Sequence, residues 1–263
     1  MGVVLCCVGC ARTPRSSPLI NTPPATDRAA FLNSWNQEVE SLARVELQGV
    51  AQLEWRDEHG AHREQGDLQG WIDGQDRVSL RLTKFGDVGA WLGWSRDMAW
   101  MFDLLSDPST LKMVASNQSS LAGGLPLQPR VLRMLLALEP LPVSAAMETT
   151  EDGVRVAGAI DGGLFSMTLD ESARPILITV VANGRTVRAR HRWTAGTFMP
   201  DSVGTMRPRA RVVDVHHEEK AMLKIQFSSL VPMTAEEMDA QSVVFDVDRI
   251  KAHLQPDRIE DCR

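Results

Sequence analysis

The chain has 263 residues, 43% of them hydrophobic and 24% charged, which fits one globular domain and excludes a disordered acidic chain or a membrane bundle. No run reaches about 18 consecutive apolar residues, so no transmembrane helix is predicted. The formal net charge of -6 speaks against a nucleic-acid footprint, which needs clustered Lys and Arg. Three of the four cysteines lie in the first ten residues, and the fourth is Cys262. From Ala11 to Asp261 there is none, so neither a disulfide framework nor a cysteine metal site is expected inside the body.

Met1 to Cys10 reads MGVVLCCVGC, a short apolar head. Residues 11–26 are rich in Pro, Ser, Thr and Arg, as a stiff polar spacer would be. Cys7-Val8-Gly9-Cys10 resembles a bacterial lipobox, which implies that 1–9 is a signal-peptide remnant and that Cys10 carries the lipid anchor. Two other readings stay open. Met1-Gly2 with Cys6 and Cys7 resembles a myristoylation and palmitoylation signal. The head is also compatible with an ordinary signal peptide removed on secretion. Either lipidation anchors the domain to a membrane by acyl chains, and residues 10–26 form a tether reaching roughly 50 Å.

The body begins with helical spacing. Phe31, Trp35, Val39 and Leu42 share one face, with Thr26 as the expected N-cap. The period then becomes two. Val45, Leu47, Gly49, Ala51, Leu53 and Trp55 alternate with Glu46, Gln48, Val50, Gln52, Glu54 and Arg56, as in an antiparallel strand with one buried face. Asp57-Glu58-His59-Gly60 reads as a turn, and strands follow at 62–72, 78–83, 88–95 and 98–104. Met98, Trp100, Phe102 and Leu104 share a face. Residues 106–128 read as loop. Pro129 opens a helix over 130–139 that is apolar around most of its circumference and should be buried or cover a cavity.

After Ala145 six more strands are expected, near 154–160, 164–169, 175–182, 186–195, 209–215 and 221–228. Asn183-Gly184 is the strongest hairpin signal. Thr234-Ala235-Glu236-Glu237 is a capping-box pattern. The predicted fold is mainly β (α+β). It is a single large antiparallel curved sheet, or unclosed β-barrel, of about eleven strands. The N-terminal and central helices cover its concave face.

A lipobox-like start, a Pro-rich tether, an amphipathic helix and meandering strands interrupted by an apolar helix resemble the LolA/LolB-like lipoprotein-carrier superfamily. The resemblance runs from Asp27 to Arg249, with Cys10 in front, and is strongest over Phe31 to Leu53, Leu68 to Leu82 and Trp91 to Leu104. It implies a domain over 27–249, followed by a C-terminal tail over 250–263. It implies a concave face that holds acyl chains of lipids or lipoproteins. Trp35, Leu47, Leu53, Trp55, Leu80, Leu82, Trp100, Phe102 and Leu135 are the candidates to line it. It also implies a monomeric lipoprotein of the bacterial envelope, and Ala11, in place of Asp, after the anchor implies the outer membrane facing the periplasm. A non-carrier sensor or protein-interaction lipoprotein on the same fold is the alternative.

No enzyme is expected, and no cofactor. Gly93-Trp94-Ser95-Arg96-Asp97 begins like a nucleophile elbow but lacks the final Gly and lies between two strands. His59 and His62 flank a turn without a zincin pattern. Asp214, His216, His217, Glu218 and Glu219 read as a solvated loop. Arg188, Arg190 and Arg192 alternate along one strand, either as an anion-binding stripe for lipid headgroups or as an ordinary polar face.

Overall fold

In a computed structural model the described residues are 27–57, 60–95, 97–115, 128–151, 153–161, 163–182, 184–193, 198–200, 206–208, 212–217 and 221–262. Helix α1 (Arg28–Glu40) comes first. Its N-cap is Asp27 and not Thr26: the Asp27 carboxylate accepts from the backbone N–H groups of Ala29 (2.9 Å) and Ala30 (3.1 Å). Leu32, Trp35 and Val39 are its buried face, and Phe31 flanks them with its ring centroid 6.0 Å from that of Trp35.

An antiparallel meander follows, of β1 (Arg44–Asp57), β2 (Gly60–Asp73), β3 (Arg77–Lys84), β4 (Asp87–Trp94), β5 (Met98–Asp103) and β6 (Thr110–Ala115). After α2 (Pro129–Leu135) come β7 (Ala146–Thr150), β8 (Gly153–Ile160), β9 (Gly163–Leu169), β10 (Pro175–Ala182) and β11 (Arg185–Arg192). Strands β12 (Phe198–Pro200) and β13 (Met206–Pro208) form a small separate ribbon. The chain continues through β14 (Val212–His217), β15 (Ala221–Pro232), α3 (Ala235–Ala240), a 3₁₀ turn (Ser242–Phe245), α4 (Val247–Leu254) and β16 (Arg258–Cys262). The capping box is present: Thr234 Oγ1 accepts from Glu237 N–H at 3.2 Å, and Glu237 Oε2 accepts from Thr234 N–H at 2.7 Å.

Fourteen strands make one curved, unclosed sheet in the order β16-β6-β5-β4-β3-β2-β1-β15-β14-β11-β10-β9-β8-β7. Two meanders meet where β1 runs antiparallel to β15, from Val45 opposite Pro232 to Trp55 opposite Ala221. The outermost strands, β7 and β16, lie at opposite ends and do not pair. The expected strand number of about eleven is therefore too low. β6 lies inside the segment read as loop, and β7, β12, β13 and β16 have too few residues for a period-2 pattern to declare itself. Residues 250–263, the expected tail, hold the end of α4 and the strand β16, which pairs in parallel with β6.

The sheet has two apolar faces and two cores. On the concave side, α1 and α2 pack over inward residues such as Leu47, Ile72, Val78, Leu80, Phe165, Ile178, Val187 and Ile225. On the opposite side of β2–β6, the C-terminal α3, 3₁₀ turn and α4 cover Trp71, Trp91, Trp100, Phe102, Leu111 and Met113. Ser79, which alternates with Val78 and Leu80 on β3, is fully buried there. Its hydroxyl donates to Val244 O at 2.7 Å and accepts from Trp91 Nε1 at 2.8 Å. Strands buried on both sides lose the clean apolar-polar alternation, as WLGW in β4 and MAWMF in β5 do.

Candidate functional site

The concave face under α1 and α2 is the candidate site. Of the nine expected lining residues, Trp35, Leu47, Leu80, Leu82 and Leu135 are buried together in its apolar cluster, and Leu53 packs half-buried at its edge. Trp55 lies on β1 with its backbone opposite Ala221 and His62, and its side chain is outside the described residues. Trp100 and Phe102 are corrections. They share a face, as expected, but it is the opposite one, where they pack edge to face at 5.6 Å under α4. The inward neighbours on β5 are Ala99 and Met101. Cys10 lies outside the described residues.

Helix α2 is the cover's central piece. Every residue from Val131 to Glu139 is buried, which explains why its sequence is apolar nearly all round. Buried among these apolar groups are one cation and one carboxylate. Arg133 Nε donates to Glu139 Oε2 at 3.0 Å. Its Nη1 donates to Ala43 O (3.3 Å) and Gly74 O (3.0 Å), and its Nη2 to Leu138 O (2.6 Å). Arg133 thereby ties α2 to the turn after α1 and to the β2–β3 turn. Burial is the largest influence on both groups: it holds Arg133 below the usual guanidinium range and Glu139 above the usual carboxylate range, against their mutual attraction.

The α1 side of the seam is also polar. Trp35 Nε1 donates to Glu139 O at 3.0 Å. Asn36 exchanges two hydrogen bonds with the Leu141 backbone, donating from Nδ2 at 2.9 Å and accepting at Oδ1 at 2.7 Å. Arg28 donates to Ala145 O at 2.7 Å and to Val143 O. From beneath, His191 Nε2 meets Leu135 O at 2.9 Å. Its other ring nitrogen has no partner, and burial pushes its pKa down to about 4. Asn36, Glu40, Gly74, Gln75 and Arg133 help line a pocket of about 250 Å³ at this seam.

Sequence reasoning did not identify Arg133, Glu139, Asn36 or His191. A signal existed for the first two: Arg133 and Glu139 interrupt or close a segment otherwise apolar at 131, 132 and 134–138. Asn36 sits among the polar residues of α1 and looks like any solvated side chain. The remaining motifs do not converge on the concave face. Ser95 Oγ donates to Met98 O at 3.3 Å, and Arg96 lies outside the described residues. His59, Glu218 and Glu219 lie outside them too, as do the side chains of His62 and His217. His216 is exposed, and Asp214 pairs with Arg192 at 2.9 Å. Among the described residues no three His, Cys, Asp or Glu side chains gather where they could hold a metal ion, and no helix is long and apolar enough to cross a membrane.

No protein-family profile and no curated protein sequence matches the chain. Solved structures do match. A domain described as an outer membrane lipoprotein-sorting protein of Vibrio parahaemolyticus is similar at 10% identity and a TM-score of 0.50, over 82% of this chain and 97% of that one. A LolA superfamily protein of Nitrosomonas europaea is similar at 11% identity and a TM-score of 0.39, over 77% and 94%. A DUF1329 family protein of Desulfovibrio piger is similar at 12% identity and a TM-score of 0.45, over 82% and 94%. The likeness to the Vibrio domain carries the comparison, and what the two share is the fold. That fold, the one of a lipoprotein-sorting domain, is of the kind the sequence pattern implied.

Proposed function

We propose that this is a non-enzymatic lipoprotein of the bacterial envelope that takes up acyl chains of lipids or lipoproteins between its sheet and the α1–α2 cover. The carrying observation is α2 itself: a seven-residue helix, buried from Val131 to its last residue and tied to the β2–β3 turn by Arg133, while Asn36 and Arg28 on α1 hold the segment that follows it. Moving it outward would vacate an apolar chamber walled by both meanders. An acyl chain entering there gains about 0.8 kcal/mol per buried methylene, so ten methylenes contribute about 8 kcal/mol, without any catalytic group. The fold shared with a lipoprotein-sorting domain and the lipobox-like Cys7-Val8-Gly9-Cys10 support an envelope location, with Cys10 as the anchor on the periplasmic face of the outer membrane.

The test is native mass spectrometry of the full chain extracted from membranes in mild detergent, with organic extraction of the same sample. One or two acyl-bearing molecules retained beyond the covalent anchor are expected. Persistent absence of such a molecule, together with no uptake of a fluorescent fatty acid, would sink the reading. A second reading, a sensor or protein-interaction lipoprotein on the same fold, is favoured by the tight filling of the concave face, where Leu47, Val78, Leu132, Met134 and Leu135 have essentially no exposure. It predicts that outcome of no uptake, in a protein that remains folded.

A further inference from the structure

The convex side of the sheet is unevenly covered. Over β2–β6 it lies under the C-terminal helices, whereas over β8–β11 it is bare among the described residues. The register lines up what it presents there. One cross-strand row is Ala159, Leu164, Val181 and Thr186. The next is Ala157, Ser166, Thr179 and Arg188, and Arg190 follows beside Leu177 in the third. Leu164 is 62% exposed and Val181 41%. Arg188, Arg190 and Arg192 are all exposed. Arg192 is neutralised by Asp214, while Arg188 and Arg190 have no ionic partner among the described residues. The first two rows carry no acidic side chain from β8 to β11. In a chain of net charge -6, a face with two unpaired arginines beside exposed aliphatic groups is out of character.

We infer that the outer face of β8–β11 is a membrane-facing surface for anionic phospholipid, with Arg188 and Arg190 on headgroup phosphates and Leu164 and Val181 against the acyl boundary. Guanidinium groups match phosphate oxygens in paired hydrogen bonds. Toward β10 their neighbours, Thr179 and Leu177, are small or aliphatic and uncharged; toward β14 His216 lies opposite Arg188 and Asp214, paired with Arg192, lies opposite Arg190. No aromatic side chain, the commonest anchor of protein interfaces, stands in these rows. A bilayer asks only for positive charge and shallow apolar contact. This surface lies across the sheet from the proposed acyl chamber and does not rest on that reading.

The experiment is flotation of the full chain with phosphatidylcholine vesicles and with vesicles containing about one-third phosphatidylglycerol. Wild type, R188Q/R190Q and the control R63Q, on the other half of the sheet, are compared. The N-terminal head and its arginines are identical in all three, so differences among them report the folded domain. Wild type is expected to prefer the anionic vesicles, increasingly at low salt. R188Q/R190Q is expected to lose about five-fold per arginine, roughly 25-fold in all, on anionic vesicles only. R63Q should bind like wild type. Circular dichroism confirms that the exposed substitutions leave the fold intact. No preference in wild type, or an equal preference in R188Q/R190Q, overturns the inference, the latter by assigning the charge effect to the N-terminal segment.

Discussion

Arg133 and Glu139 form a buried ion pair. Each ion withdrawn from water costs several kcal/mol, and the pair is tolerable because the guanidinium also reaches three backbone carbonyls. Removing one partner strands the other. Glu139→Gln is expected to cost about 4 kcal/mol in urea unfolding, since Arg133 keeps its burial and loses its counter-charge. An unchanged midpoint would mean that the carbonyls alone satisfy Arg133. His191 makes a second, pH-dependent prediction. Its pKa falls from the ordinary 6.5 to about 4 because burial disfavours the cation. A depressed pKa gives stability that is present above pH 6.5 and is lost as pH falls through about 4. The loss over that window is about 3 kcal/mol. His191→Gln can still donate to the Leu135 carbonyl, so it should flatten that slope; equal slopes in both proteins would contradict the assignment. Arg133 and Glu139 stand out in their apolar segment, but the role of His191 was not legible beforehand. A histidine between two arginines on a strand shows its period, while its burial depends on α2 arriving from residues 129–135.

At the scale of elements, the sequence was most readable where one face is wet. α1 shows its stripe, β1 alternates through most of its fourteen residues, and α3 carries its capping box. Reading failed where elements are short or doubly buried. TLKMVA in β6 offers too few alternations to stand out from its loop-rich surroundings. The C-terminal segment looked dispensable because α4 buries only Val247 and Ile250 and β16 is mostly exposed. Its importance lies in what it covers. A chain ending at residue 249, the domain boundary suggested by the resemblance, removes Ile250 and the β16–β6 ladder and uncovers part of the Trp100–Phe102 cluster. Ile250 alone is worth about 2 kcal/mol. The truncated protein is expected to melt at lower temperature and to bind a hydrophobic dye at neutral pH. An unaltered melting temperature would show that the segment is a true tail.

For the whole molecule, local pattern settled class and order while long-range pairing settled use. Helix, first meander, apolar helix and second meander could be read in sequence, because periods of 3.6 and 2 are local properties of side-chain geometry. Those periods also grouped Trp100 with Phe102 and Leu80 with Leu82. They could not say which face of the sheet would meet which helix, since a period of two defines two faces and labels neither. That choice was made by contacts between residues far apart: β1 against β15, Arg133 on Gly74, Ser79 on Val244. By itself the sequence determined an antiparallel mainly β domain with two apolar helical pieces behind a cysteine-rich head. Only the tertiary structure decided which residues line the concave face that α1 and α2 cover, that a second core backs the first meander, and that β8–β11 are left bare among the described residues. The physical reason is that burial belongs to pairs of surfaces, and the chain specifies one surface at a time.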